Sequence, residues 1–153
     1  MKWEKLQADM LTKHIITDNA LRVFANPAGY VEIAYKFWVF KVPVFFMHLH
    51  IPEGLISNHS FINGYTRQNA EKFAELRGAR VELLDKIPCQ IMVNDKTGEE
   101  IRLNTRYYSN YIEKADELTF WGLDRKSPVL AVNGPEFDED NIVFMVLPIN
   151  YNS

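Results

Sequence analysis

Residues 102–151 decide the fold, and they read RLNTRYYSNYIEKADE (102–117), LTFWGLD (118–124), SPVLAV (127–132) and NIVFMVLPINY (141–151). Asn104 or Thr105 can cap a helix over 105–116. Three runs rich in β-branched and aromatic residues follow and predict strands over 118–123, 128–133 and 141–149. The predicted helix has one apolar stripe at i, i+3, i+4 and i+7, formed by Tyr108, Tyr111, Ile112 and Ala115.

The residues before this stretch repeat the same order of elements. Around the turn DKTG (95–98), residues 90–93 and 100–103 predict a hairpin. Near the start of the chain, residues 4–15 have helical spacing, and strands are predicted over 21–24, 30–35 and 37–40. Both halves are interpreted as strand, helix and three strands, a repeat of pattern only. Residues 41–85 form an insertion with a helix over 66–77, capped by Thr66 and stopped by Gly78, and a strand over 80–84.

These elements predict an α+β fold. We expect a curved, mostly antiparallel sheet made of two βαβββ units, with the helices on one face. The chain of 153 residues is long enough for one domain with its own core. That domain, 1–153, comprises a first half-repeat (1–40), the insertion (41–85) and a second half-repeat (86–153). The ten Phe, seven Tyr and three Trp favour a sheet-rich core.

Charge and cysteine content indicate a cytoplasmic protein. The net charge of −3 argues against a surface that binds nucleic acid throughout, but it allows a local basic face. The single cysteine, Cys89, excludes an internal disulfide and suggests a reducing compartment. The longest apolar run, 37–51, is too short and too polar to span a bilayer, so no membrane association is expected.

The C-terminal segment resembles the last domain of bacterial DNA polymerase sliding clamps. Three short pieces carry the resemblance: NTRYY (104–108), SPVL (127–130) and LPINY (147–151). More faintly, DNALRVFAN (18–26) is similar to the turn and strand of a clamp's opening half. The resemblance implies a clamp-like fold and a non-enzymatic module that binds duplex DNA or replication proteins. Because these clamps form rings of six related domains, it also implies a homo-oligomer.

The resemblance also implies two sets of binding residues. In the family, helices line the side of the sheet that faces DNA. Cations on the corresponding helices here would contact phosphates and release counterions. The predicted DNA-binding residues are Lys5, Lys13, Arg106, Asn110 and Lys114. In the family, the C-terminal strand receives a short hydrophobic peptide of a replication or host protein. The predicted partner-binding residues are Met145, Val146, Leu147, Pro148 and Ile149.

Two alternatives of other classes remain open. The mild acidity and the aromatic residues also suit a phage or mobile-element protein that inhibits a larger enzyme. Alternatively, His48 and His50 on one face of a strand, with Glu53 nearby, could bind a divalent metal in a metal-dependent enzyme. The leading interpretation includes neither a metal nor a cofactor, since no phosphate-binding loop or nucleophile motif is present.

Overall fold

The structure is a computed structural model that describes residues 1–10, 21–48, 56–57 and 59–149. Two α-helices lie in this part of the chain, α1 (Trp3–Asp9) and α2 (Phe61–Gln68). Short 3-10 turns span Val44–Phe46, Thr105–Tyr107, Ser109–Tyr111 and Glu139–Asn141. The strands are β1 (Arg22–Asn26), β2 (Tyr30–Tyr35), β3 (Trp38–Pro43), β4 (Ile56–Ser57), β5 (Ala74–Leu84), β6 (Ile87–Asn94), β7 (Glu100–Asn104), β8 (Leu118–Gly122), β9 (Val129–Asn133) and β10 (Ile142–Val146).

All ten strands belong to one sheet, in the order β4-β1-β2-β3-β10-β9-β8-β5-β6-β7. Every pair is antiparallel except β1 with β4. Two three-stranded meanders, β1–β3 and β8–β10, meet through their last strands, β3 and β10. The α+β class and the mostly antiparallel sheet predicted from the sequence are confirmed.

Each face of the sheet has its own apolar cluster, because successive side chains of a strand point to opposite faces. On the first face, α1 packs through Leu6 against Phe40 of β3 and Phe144 of β10, all fully buried. On the second face, Ile62 of α2 packs with Val39 of β3 and other residues. We call these the α1 face and the α2 face. The sheet is therefore covered on both sides in its central strands.

The sheet curls around the cluster on the α1 face. Ile149, three residues after β10, donates its N–H to the carbonyl oxygen of Arg102 in β7 at 2.8 Å. Five strand spacings separate β10 from β7, which is about 24 Å in a flat sheet. Three residues of chain reach only about 10 Å. The strands from β10 to β7 must therefore bend toward each other.

Two of the predicted helices are wrong. Residues 105–116 contain two 3-10 turns instead of an α-helix, although Asn104 does cap the first of them through its Oδ1 and the N–H of Arg106 (3.0 Å). In the insertion, the helix is α2, which Ser60 caps, and β5 already begins at Ala74. Residues 105–111 and α1 both pack on the α1 face, as predicted for these two segments, whereas α2 packs on the opposite face.

Candidate functional site

An apolar groove of about 250 Å³ lies on the α2 face. Its floor is a row of side chains that crosses three strands, since Ala34 is paired with Val39, and Val39 with Met145. Val39 and Met145 are buried. The small Ala34, at one end of this row, leaves space above the sheet beside Val39. The sheet itself therefore supplies an apolar floor.

Aromatic and aliphatic side chains form the walls of this groove. Phe61, the first residue of α2, contacts Phe24 of β1 with 5.8 Å between ring centroids. Phe61 is 48% exposed and Leu147 is 37% exposed, so both offer apolar surface to solvent. The described lining residues are Arg22, Phe24, Ala34, Tyr35, Lys36, Phe37, Trp38, Val39, Phe61, Pro128, Met145 and Leu147.

Positive charge borders the groove. Its described lining includes the cations Arg22 and Lys36 and no carboxylate. The ammonium of Lys36 lies 5.6 Å from the ring centroid of Tyr35. The border of the groove therefore carries cationic side chains next to an apolar floor.

A buried carboxylate fixes the wall of the groove that α2 provides. Glu32 of β2 is fully buried, and its Oε1 accepts a hydrogen bond from the N–H of Ile62 at 2.9 Å. Its Oε2 accepts from the Nδ2 of Asn26 at 3.0 Å and from the hydroxyl of Ser60. Ser60 in turn accepts from the N–H of Asn63 as the N-cap of α2 (3.0 Å). These bonds tie the start of α2, and therefore Phe61, to the sheet.

Lys41 lies across the strand pair from Glu32 and is also buried. Burial lowers the pKa of Lys41, although the negative charges of Asp140 and Glu32 act in the opposite direction. Its ammonium donates to the carbonyl oxygens of Glu139 (3.3 Å) and Asp140 (3.5 Å) and lies 4.2 Å from the ring centroid of Tyr30. Lys41 therefore holds the loop between β9 and β10 against the sheet.

The five predicted partner-binding residues fall into two groups. Met145 and Leu147 line the groove. Val146 lies in the core of the α1 face, and Pro148 is buried as well. Ile149 makes the backbone hydrogen bond to β7. Only the first two are placed to touch a ligand in the groove, and the other three support the fold.

The predicted DNA-binding residues lie on the other face, around α1. Lys5, Arg106, Asn110 and Lys114 are exposed, whereas Lys13 lies outside the described residues. The two segments that carry them are in contact, because the N–H of Lys2 donates to the carbonyl of Tyr111 at 2.7 Å. Acidic residues share this surface, since Glu4 and Glu113 line the same open pocket as Lys2 and Lys5.

The predicted metal ligands are only partly described. The Nε2 of His48 lies 3.5 Å from a carboxylate oxygen of Glu4, and both side chains are well exposed. His50 and Glu53 lie outside the described residues. Across the described ranges, His, Cys, Asp and Glu nowhere form a group of three that could hold a metal ion. Neither described helix is long and apolar enough to cross a membrane.

Sequence reasoning missed the residues that build the groove wall. Glu32 alternates with Val31 and Ile33 in β2, which is the pattern of a solvent-facing position. Its burial depends on α2, which the sequence analysis placed later in the chain. One usable signal was Ser60 directly before Phe61 and Ile62, because a serine before an apolar pair is a typical helix N-cap.

Comparison with protein-family models, curated proteins and solved structures gives no match to this chain.

Proposed function

We propose that this protein is a non-enzymatic interaction module that binds a short apolar segment of a partner protein in the groove on the α2 face. The observation that carries the proposal is an open apolar groove that ends at the C-terminal strand, where the clamp resemblance led us to expect a peptide site. The expected partner class, a replication or host protein, comes from that resemblance and is part of the proposal.

The size and chemistry of the groove favour a peptide over a small-molecule substrate. Its volume of about 250 Å³ is below the roughly 300–1,000 Å³ of typical ligand pockets. A groove of this size suits a few apolar side chains of a longer ligand. Exposed Phe61 and Leu147 supply apolar surface that side chains of a peptide can bury.

Peptide selection tests this proposal directly. A phage-displayed library of dodecapeptides is selected on the whole protein, and the enriched peptides are synthesised and titrated by fluorescence anisotropy. We expect two closely spaced apolar residues in the enriched peptides. Phe61→Ser and Leu147→Ser should each weaken binding about 10-fold or more, as expected for interface anchors.

Phe45→Ser is the matched control, because Phe45 is 85% exposed and does not line the groove. It should leave the affinity unchanged. Peptides that bind the Phe61→Ser and Leu147→Ser variants as tightly as the wild type would contradict the proposal. So would selected peptides whose binding is lost in the Phe45→Ser control.

Duplex DNA binding is the second candidate function. It is supported by the contact between α1 and residues 105–111, which brings Lys5 to the same face as Arg106 and Lys114. Arg106→Ala combined with Lys114→Ala should weaken duplex binding and reduce the slope of log affinity against log salt by up to about 2. Lys96→Ala, in the exposed turn after β6, is the control. An unchanged salt slope in the double variant would refute this candidate.

A further inference from the structure

One edge of the sheet is unpaired next to exposed apolar side chains. β5 pairs with β6 from Leu76 to Leu84, but it pairs with β8 only over Ala74–Leu76. From residue 77 onward, the other edge of β5 is not paired with any strand in the described part of the chain. Unpaired edges expose N–H and C=O groups that pair readily with another strand.

Two large apolar side chains stand on this edge strand. Val81 is 66% exposed and Leu83 is 75% exposed. Both point to the α1 face, because Val81 is paired with Gln90 and Gln90 with the buried Leu103. Charged side chains alternate with them on the opposite face. There the guanidinium of Arg80 contacts Glu82 at 2.6 Å and Glu100 at 2.9 Å.

We propose that this edge is a dimer interface, in which β5 of one copy pairs antiparallel with β5 of a second copy about a two-fold axis at Val81. This register places Arg80 of each copy opposite Glu82 of the other, and opposite charges across a strand pair are favourable. It also brings the Val81 side chains together and covers Leu83, so apolar surface leaves water. The result is a continuous sheet through both copies.

The structure selects this register over its neighbours. The turn at Asp85 ends the free edge on one side, and β8 ends it on the other by pairing as far as Leu76. An axis at Arg80 would place the two Arg80 guanidinium groups opposite each other, which is unfavourable. An axis at Glu82 would shorten the overlap and place the two Glu82 carboxylates opposite each other, which is unfavourable.

Local backbone geometry limits the strength of the dimer. A bulge between Gly78 and Arg80 interrupts regular pairing, and the carbonyl oxygen of Arg80 already accepts from Gln90 Nε2 at 3.1 Å. The most regular part of the edge is therefore short, from Val81 to Leu84. Interfaces that bury little surface are at the weak end of protein association. We expect a reversible dimer whose population rises with protein concentration.

Analytical ultracentrifugation over a wide concentration range tests the dimer. The expected result is a monomer–dimer equilibrium with no larger species, because a two-fold pairing closes after two copies. Val81→Lys places two ammonium groups at the axis and should weaken dimerisation at least about 10-fold, with an unchanged thermal unfolding curve. Val44→Lys is the control, since Val44 is 57% exposed and lies outside β5.

Disulfide trapping tests the register. In a Val81→Cys variant, the two thiols face each other at the axis within the distance that a disulfide spans. Mild oxidation should produce a covalent dimer rapidly. Leu83→Cys should react slowly, because residue 83 lies two positions from the axis in each copy and is paired with Pro88, which has no thiol. Wild-type protein should also react slowly, because burial raises the pKa of the native Cys89 and keeps its thiol unreactive. Faster trapping through Leu83→Cys than through Val81→Cys would overturn the proposed register.

Every other outcome overturns the proposal itself. If the protein stayed monomeric at all concentrations, the β5 edge would pair with a different protein or with no partner. A larger ring, or a dimer that Val81→Lys does not weaken, would place self-association elsewhere on the surface.

Discussion

Glu32→Gln is the most direct test of how the groove is built. The substitution keeps the size of the side chain and removes the charge. The carboxylate accepts from three donors: Asn26 Nδ2, the Ser60 hydroxyl and the N–H of Ile62. An amide can accept at only one of its two ends, and its NH₂ group is a donor. At least one buried donor therefore loses its partner in either orientation of the amide.

The expected loss of stability follows from these contacts. An unsatisfied buried donor costs about 1–3 kcal/mol. Hydrogen bonds to a charged group are also stronger than hydrogen bonds to a neutral one, and buried Lys41 loses a negative neighbour. We expect Glu32→Gln to lower the free energy of unfolding by about 2–4 kcal/mol, a large share of the total of roughly 5–15 kcal/mol for a domain.

Urea unfolding followed by tryptophan fluorescence and by circular dichroism measures this change. The slope m should stay constant while the midpoint falls. Glu136→Gln is the control, because Glu136 is exposed and its replacement should change stability by less than about 0.5 kcal/mol. Ser60→Ala should couple with Glu32→Gln, so that the double variant loses less than the sum. A loss below about 0.5 kcal/mol for Glu32→Gln would refute the role given to this carboxylate.

Two further substitutions test the β8–β9 region, and a third, in α2, is a control for one of them. In Asp124, burial raises the carboxyl pKa, but hydrogen bonds from the N–H groups of Lys126 (2.9 Å) and Ser127 (2.8 Å) outweigh burial, so the pKa lies below its usual 3.8. Because the pKa of Asp124 is lower in the folded state than in the unfolded state, its ionised carboxylate stabilises the fold fully above pH 3.8. This stabilisation is lost as the pH falls through the folded pKa. Asp124→Asn should therefore cost about 0.5–1 kcal/mol at pH 7 in urea unfolding, and a difference that persists at the lowest pH would contradict this. Gly122→Ala would bring its Cβ within 3.1 Å of Leu76 Cδ1 and should destabilise by about 1–3 kcal/mol, whereas Gly64→Ala in α2 meets nothing within 4 Å and should stabilise slightly.

Short runs rich in β-branched and aromatic residues, bounded by clear turns, predicted the strands of the two meanders. The predicted strands 30–35 and 128–133 correspond to β2 and β9 within one residue. The turn DKTG gave the hairpin of β6 and β7. These signals are local, since each strand pairs with its neighbour in sequence, and the turn residues fix the connection.

Each of the two wrong helix predictions has a physical explanation. Tyr108 and Tyr111 are both buried, and a spacing of three residues places side chains on one side of a 3-10 turn as well as of an α-helix. Gly78 was interpreted as a helix stop, but it lies next to the bulge in β5. An isolated glycine marks either feature, and sequence alone does not distinguish them. The candidate site was harder still, because Glu32 and Phe61 meet only after α2 docks on the sheet.

The groove and the β5 edge do not overlap. Strands β9 and β8 separate β10, which contributes Met145 to the groove, from β5. The groove also opens on the α2 face, whereas Val81 and Leu83 point to the α1 face. A dimer formed through β5 would therefore display two complete grooves, and a ligand with two anchor segments could occupy both.

This arrangement leads to a prediction that links the two proposals. A tandem peptide, with two copies of a selected sequence joined by a flexible linker, should bind the dimer more tightly than the single peptide, because the second copy binds at a raised effective concentration. Val81→Lys should weaken the binding of the tandem peptide at least about 10-fold and leave the affinity for the single peptide unchanged. Phe61→Ser should weaken both. If Val81→Lys weakened the single peptide as well, the groove and the edge would be coupled, and the independence argued from the strand order would be wrong.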